Sequence, residues 1–257
     1  MEDFQNNTID LDAILIKFLK YWKLFTFCIL LSIAIAFIYD KSTSPNYLVK
    51  ASIYVNSPNS TLDASALLFN SDLSSSPEEV INQSIILKSF PLLKKVFKQL
   101  DFSVSYFKEN TFKKEELYDN KPFQVFLAEE SINIPYNNFI SISFIDHENF
   151  NLSLEGSDPE TDEDLFFEGS FSIGELININ DCKFTIQLIS NIPLLIDEEY
   201  SFTFNNPEEL LYNYSSRLVV EVEQESSSII KVKLEGSQTK KLIHFLDTLL
   251  KIYSQNN

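Results

Sequence analysis

The chain has 257 residues, room for one large domain or two small ones, and its 44% apolar and 14% aromatic content is ample for a packed core. A formal net charge of −17 repels phosphate backbones, which removes nucleic acid from the expected partners. The four glycines (Gly156, Gly169, Gly174 and Gly236) stand singly, so no GxxxxGK[ST] or GxGxxG loop exists and no nucleotide cofactor is expected.

In chain order, TIDLDAILIKFLKYWK predicts a short helix with apolar Ile9, Leu11, Ile14, Leu15, Phe18 and Leu19, capped by Thr8 or Asp10 and lying on a membrane surface. Residues 24–39 follow without a charge or a proline. As a helix they would span about 24 Å, somewhat short of the ~30 Å hydrocarbon layer. Tyr21, Trp22 and Tyr39 suit the headgroup level, and Lys17, Lys20, Lys23 and Lys41 can reach outward at the two ends. A soluble core helix would keep a polar stripe, which this stretch lacks. Ala34-Ile35-Ala36 imitates a signal cleavage site. However, the preceding region is long and holds four acids, and the apolar run continues past the site. The stretch therefore reads as an uncleaved anchor. The lysines before it place the amino terminus in the cytoplasm and the bulk of the chain outside.

YLVKASIYV alternates as a strand, and a polar loop with one apolar patch at 66–69 comes next. Ser74-Ser75-Ser76-Pro77-Glu78-Glu79 predicts a helix start, followed by Val80, Ile81, Ile85, Ile86 and Leu87 at helical spacing. Pro91 opens a second helix, LLKKVFKQL, and Pro122 precedes a strand, FQVFL. From 122 to 205, FISISFI, FNLSLEG, FFEGSFSIG, FTIQLI and YSFTF predict short antiparallel strands of a sandwich or barrel. The acidic stretch 157–168 lacks calcium-loop spacing and reads as a solvated loop. Asn206-Pro207-Glu208-Glu209 starts another helix. LVVEVEQ and IIKVKLE form a hairpin about ESSS, and a last helix from Gln238 presents Leu242, Phe245, Leu246, Leu249 and Tyr253 along one stripe.

Chemistry is sparse. Cys28 and Cys182 cannot build a disulfide framework, and His147 and His244 each have no second His or Cys within helical or hairpin reach. HExxH, CxxC and GxSxG are absent, so no catalytic, cofactor-binding or metal residues are nominated.

Five segments follow one another in a telling order. IDLDAILIKFLKYWKL leads into the apolar stretch, and YLVKASIYV follows it. INQSIILKSFPLLKKVFKQLDFSVSY reads as a helix pair. ELYDNKPFQV and SSRLVVEVEQESSSIIKVKLEGSQTKKLIHFLDTLLKIY complete the series. This order resembles the amino-terminal part of Wzz-type chain-length determinants, the polysaccharide co-polymerases. More narrowly, it is similar to the periplasmic portion of the Wzc-like exopolysaccharide tyrosine kinases of Bacteroidetes.

The resemblance implies an α+β protein: a cytoplasmic segment (1–23), a transmembrane helix (24–39), a Wzz-like α/β periplasmic domain (40–121 and 206–257) and a β-rich insert (122–205). It implies a non-catalytic inner-membrane protein that regulates the length or export of exopolysaccharide, capsule or lipopolysaccharide O-antigen. Such a protein forms a homo-oligomeric ring and works with polymerase or export machinery, and possible contact with the glycan follows. Family members continue into a second span and, in the kinase branch, a nucleotide-binding domain. These 257 residues are therefore expected to be a truncated piece or a reduced form, with kinase activity belonging to a longer parent. Two other readings are an anchored module binding glycan or protein through the β-rich insert, and a secreted enzyme with its amino terminus near Phe37.

Overall fold

Trp22–Ser42 forms α1, a helix of 21 residues. The computed structural model describes residues 20–43, 45–54, 77–110, 113–157, 164–196, 198–222 and 229–256. They fall into two units, Met1–Ser44, which holds α1, and Pro45–Asn257. The surface helix expected over 8–19, the polar loop and its patch at 66–69, residues 158–163 of the acidic stretch and the ESSS turn lie outside the described residues.

The second unit runs β1 (Tyr47–Tyr54), α2 (Pro77–Leu87), α3 (Phe90–Gln99), β2 (Val104–Glu109), β3 (Lys114–Leu117), β4 (Phe123–Leu127), β5 (Ile140–Phe144), β6 (Asn149–Ser157), β7 (Asp164–Ser172), β8 (Leu176–Ile179), β9 (Cys182–Leu188) and β10 (Glu199–Phe204). It closes with α4 (Pro207–Arg217), β11 (Val219–Val222), β12 (Ile229–Gly236) and α5 (Thr239–Asn256).

Its first core is an α/β layer pair. β12 lies between β1 and β11, antiparallel to both. The period of two puts Ile230, Val232 and Leu234 on one face, opposite Ile53, Ala51 and Val49 of β1. The helices cover that face. Leu242, Phe245, Leu246, Leu249 and Tyr253 form a buried stripe on α5, as their spacing predicts, and Leu92, Leu93 and Val96 face them from α3. Phe97 meets Phe102, Tyr214 and Phe245 at ring-centroid distances of 6.0, 5.2 and 5.5 Å. Tyr253 donates its hydroxyl to Gln83 Oε1 of α2 at 2.7 Å.

Pro91 does open a helix, since a proline in the first turn gives up an N–H that has no intrahelical partner. Asn206 caps α4 with its side-chain oxygen, accepting from the N–H groups of Glu208 (2.9 Å) and Glu209 (3.3 Å). Asn206→Ala is therefore expected to lower stability by about 1 kcal/mol in urea titration, whereas Asn206→Asp should retain it.

The second core is a sandwich of two separate sheets, with strand orders β3-β2-β10-β5-β6-β7 and β4-β9-β8. Their inner faces share one cluster in which Phe123 and Phe184 of the smaller sheet meet Phe144, Tyr200, Phe202 and Phe204 of the larger. The buried Tyr106 hydroxyl accepts the Val125 N–H at 2.9 Å, tying one sheet to the other. Burial raises that phenol's pKa, although the Val125 hydrogen bond opposes the shift.

Several differences from the sequence reading concern this core. β3 was not read as a strand, and residue 157 and residues 164–168 of the stretch read as a solvated loop belong to strands β6 and β7. The helix pair ends at Gln99, and the VSY segment belongs to strand β2, because Val104 and Tyr106 alternate with outward Ser105 and Phe107. The sandwich core consequently starts at Val104 and not at residue 122. β8 went unread, although Asn180 and Asp181 both take positive φ (48° and 68°) and form the two-residue turn of the β8–β9 hairpin.

Cys182 is fully buried here, and burial pushes its thiol from 9.0 up to about 11. A raised folded-state pKa means that the unfolded chain releases its proton first. The stabilisation is complete below about pH 9 and is lost as pH climbs toward 11. The melting temperature is expected to fall across that window, and Cys182→Val should remove this thiol's part of the fall.

Three polar side chains join the cores. Asn205 Nδ2 donates to the Phe102 carbonyl (2.7 Å) and to Ser105 Oγ (2.9 Å). At the start of α5, Gln238 Nε2 donates to the Glu116 carbonyl at 2.9 Å. Beside it the largely buried Lys241 pairs with the Glu116 carboxylate, lies 3.3 Å from Ser105 Oγ and sits over the Phe102 ring.

Candidate functional site

The first unit presents the features that the sequence singled out. At about 1.5 Å per residue, α1 is roughly 31 Å long, close to the ~30 Å of a hydrocarbon layer. The helix extends beyond the uncharged residues 24–39 by taking in Trp22 and Lys23 at one end and Asp40 and Lys41 at the other. None of the window Trp22–Lys41 is buried.

Its few polar side chains are satisfied within the helix. Thr26 Oγ1 donates to the Trp22 carbonyl and Ser32 Oγ to the Cys28 carbonyl, each at 2.9 Å. Neither hydroxyl then needs water, which is the condition for a polar group in an apolar solvent. Cations mark both ends. Lys20 lies over the Tyr21 ring and Lys41 over the Phe37 ring, each at 5.9 Å. Lys41 also occupies the last turn, where the helix dipole favours a positive charge. Thr43 closes the helix with its N–H and hydroxyl on the Tyr39 carbonyl, at 3.1 and 2.9 Å. Trp22, Lys23 and Tyr39 are exposed, and Lys17 lies outside the described residues.

Among the described residues no three His, Cys, Asp or Glu side chains come together as metal ligands. His147 is exposed beside Asp146, whose oxygen accepts from the Glu148 and Asn149 N–H groups at 2.7 Å each. The Glu148 hydrogen bond, with help from Asn149, holds that carboxyl below its usual range. His244 packs at a margin with Nδ1 on the Tyr118 hydroxyl. A concavity that sequence reasoning missed lies between α3 and α4. It is a groove of about 1070 Å³ with exposed Phe90 and Tyr212, flanked by Lys94, Lys98, Glu208 and Glu209. Its walls come from helices more than a hundred residues apart, so only the fold assembles it.

The family model for Wzz, the chain length determinant protein, matches residues 7–100. Over those residues, somewhat more than a third of the chain, the protein is similar to the Wzz family. The match takes in α1, β1, α2 and α3 and leaves the sandwich outside it. No curated protein matches the chain. Wzz proteins determine polysaccharide chain length or act as co-polymerases. They are generally non-catalytic, associate with the inner membrane and work as oligomers with polysaccharide machinery.

Proposed function

We propose that the protein is a non-catalytic, inner-membrane polysaccharide co-polymerase that sets the length or export of a surface polymer: exopolysaccharide, capsule or O-antigen. α1 is its transmembrane helix, with the amino terminus in the cytoplasm and Pro45–Asn257 in the periplasm. Tyr21, Trp22, Lys17, Lys20 and Lys23 hold one interface, and Tyr39 and Lys41 hold the other. The chain works as a ring of copies beside the polymerase or export machinery, and it corresponds to the amino-terminal part of a Wzc-like kinase.

The observation that carries this reading is the Wzz match across a helix that is apolar on every side and fully exposed. The test is deletion of the gene followed by gel sizing of the surface polysaccharide. A changed length distribution with unchanged repeat-unit composition supports the reading. An unchanged distribution defeats it.

A second reading is favoured by one specific observation, the sandwich with a core of its own outside the Wzz match. In that reading the β-rich part is a binding module for a glycan or protein ligand.

A further inference from the structure

The six-stranded sheet turns one face inward to Phe123 and Phe184 and the other away from that core. At the β3-β2-β10 end the outward face is covered. Phe107 and Phe139 meet there with centroids 5.2 Å apart, Lys114 lies 4.1 Å above the Phe139 ring, and Ser201 is wholly buried. Just before β5, Asn138 donates its Nδ2 to the Ser157 carbonyl of β6 at 3.1 Å, continuing the contact between those two strands.

The β5-β6-β7 end is open. Strand pairing sets Asn151 beside Ser170, Ser153 beside Glu168 and Glu155 beside Phe166, all exposed. The rows are about 7 Å apart along the strands and neighbouring strands about 4.8 Å apart. Ser170 Oγ donates to Asn151 Oδ1 at 2.6 Å, which orders one of these pairs.

A polar outer face is normal for an antiparallel sheet. Two features set this one apart. β5, β6 and β7 contain no lysine or arginine, although the chain has 20 such residues. At 75% exposure, Phe166 is also the most exposed large apolar side chain among the described residues.

We propose that this open face binds an uncharged polysaccharide chain, with a sugar ring stacked on Phe166 and sugar hydroxyls bonded by the Ser, Asn and Glu side chains. Hydroxyl, amide and carboxylate groups at strand spacing offer the mixed donors and acceptors that a polyol requires. The electron-rich face of a phenyl ring attracts the C–H face of a pyranose. Carboxylates without cations repel an acidic polymer. The inference rests on the second reading above, that the β-rich part is a binding module.

The test is affinity electrophoresis of the full chain in detergent. The gels contain the producing cell's own surface polysaccharide, separated by anion exchange into neutral and acidic fractions. The neutral fraction should retard the wild type. Phe166→Ala and Ser153→Lys should each weaken that retardation by about tenfold, or about 1.4 kcal/mol, with melting temperatures unchanged. Ile132→Ala, an exposed apolar residue on the loop after β4, should have no effect. Retardation that survives both face variants would overturn this face and leave the binding-module reading standing. Retardation by the acidic fraction alone would overturn the proposal on its charge argument and leave the binding-module reading standing, and retardation by neither fraction would overturn the proposal together with the glycan form of that reading.

Discussion

Phe123→Ala is expected to cost about 3–5 kcal/mol, the largest effect of any single truncation considered for this chain. The ring is fully buried and touches Tyr106, Phe144, Tyr200 and Phe202 at centroid distances of 5.4, 5.6, 6.0 and 6.3 Å. It comes from the three-stranded sheet and its four partners from the six-stranded one, so its loss opens a cavity between the two layers. Urea unfolding followed by tyrosine fluorescence measures the loss. A change below about 1 kcal/mol would mean that the sheets do not share this core.

Glu116→Ala should be the next most severe, at about 3 kcal/mol, because it leaves the ammonium of Lys241 buried beside Phe102 and Ser105 without a counter-charge. The pair also spans the two cores, since Glu116 lies on β3 and Lys241 on α5. Desolvating both charges offsets most of their attraction. The double variant Glu116→Leu with Lys241→Met is therefore expected to recover most of the lost stability. Urea titration of the single and double variants as a thermodynamic cycle separates the two effects. Equal losses in both would show that packing at the seam, and not the charge pair, accounts for the cost.

These two predictions show what could and could not be read from the linear chain. Phe123 lies in FQVFL, whose alternation announces a strand. Leu242, Phe245 and Leu249 lie on a helical stripe, and Pro91 and Asn206 mark helix starts through local backbone chemistry alone. Such features depend on neighbours within a few residues, so periodicity and capping expose them. β2 was hidden because VSY follows a helix and is too short to outweigh it. β8 has only four residues before its Asn180-Asp181 turn. The Glu116–Lys241 pair joins positions 125 apart, and the groove between α3 and α4 needs both helices in place. No local pattern encodes either one. The helix α1 was legible because a long uncharged stretch without proline is a local signal. The open polar face of β5-β6-β7 needed strand order and register before its lack of cations had any meaning.

The central claim is that an anchored, non-catalytic chain governs polymer length, and α1 is the element through which it can be tested. The decisive measurement is the length distribution of the surface polysaccharide in cells lacking the gene. These cells are complemented either with the wild-type chain or with one bearing Leu30→Arg and Ile33→Arg in the middle of α1. Each arginine at the centre of a span costs about 2.5–3.5 kcal/mol of insertion, so the pair should release the helix from the membrane. The wild type is predicted to restore the modal length and the double variant to fail, with both chains present at equal amounts. Full restoration by a double variant found in the soluble fraction would contradict the account.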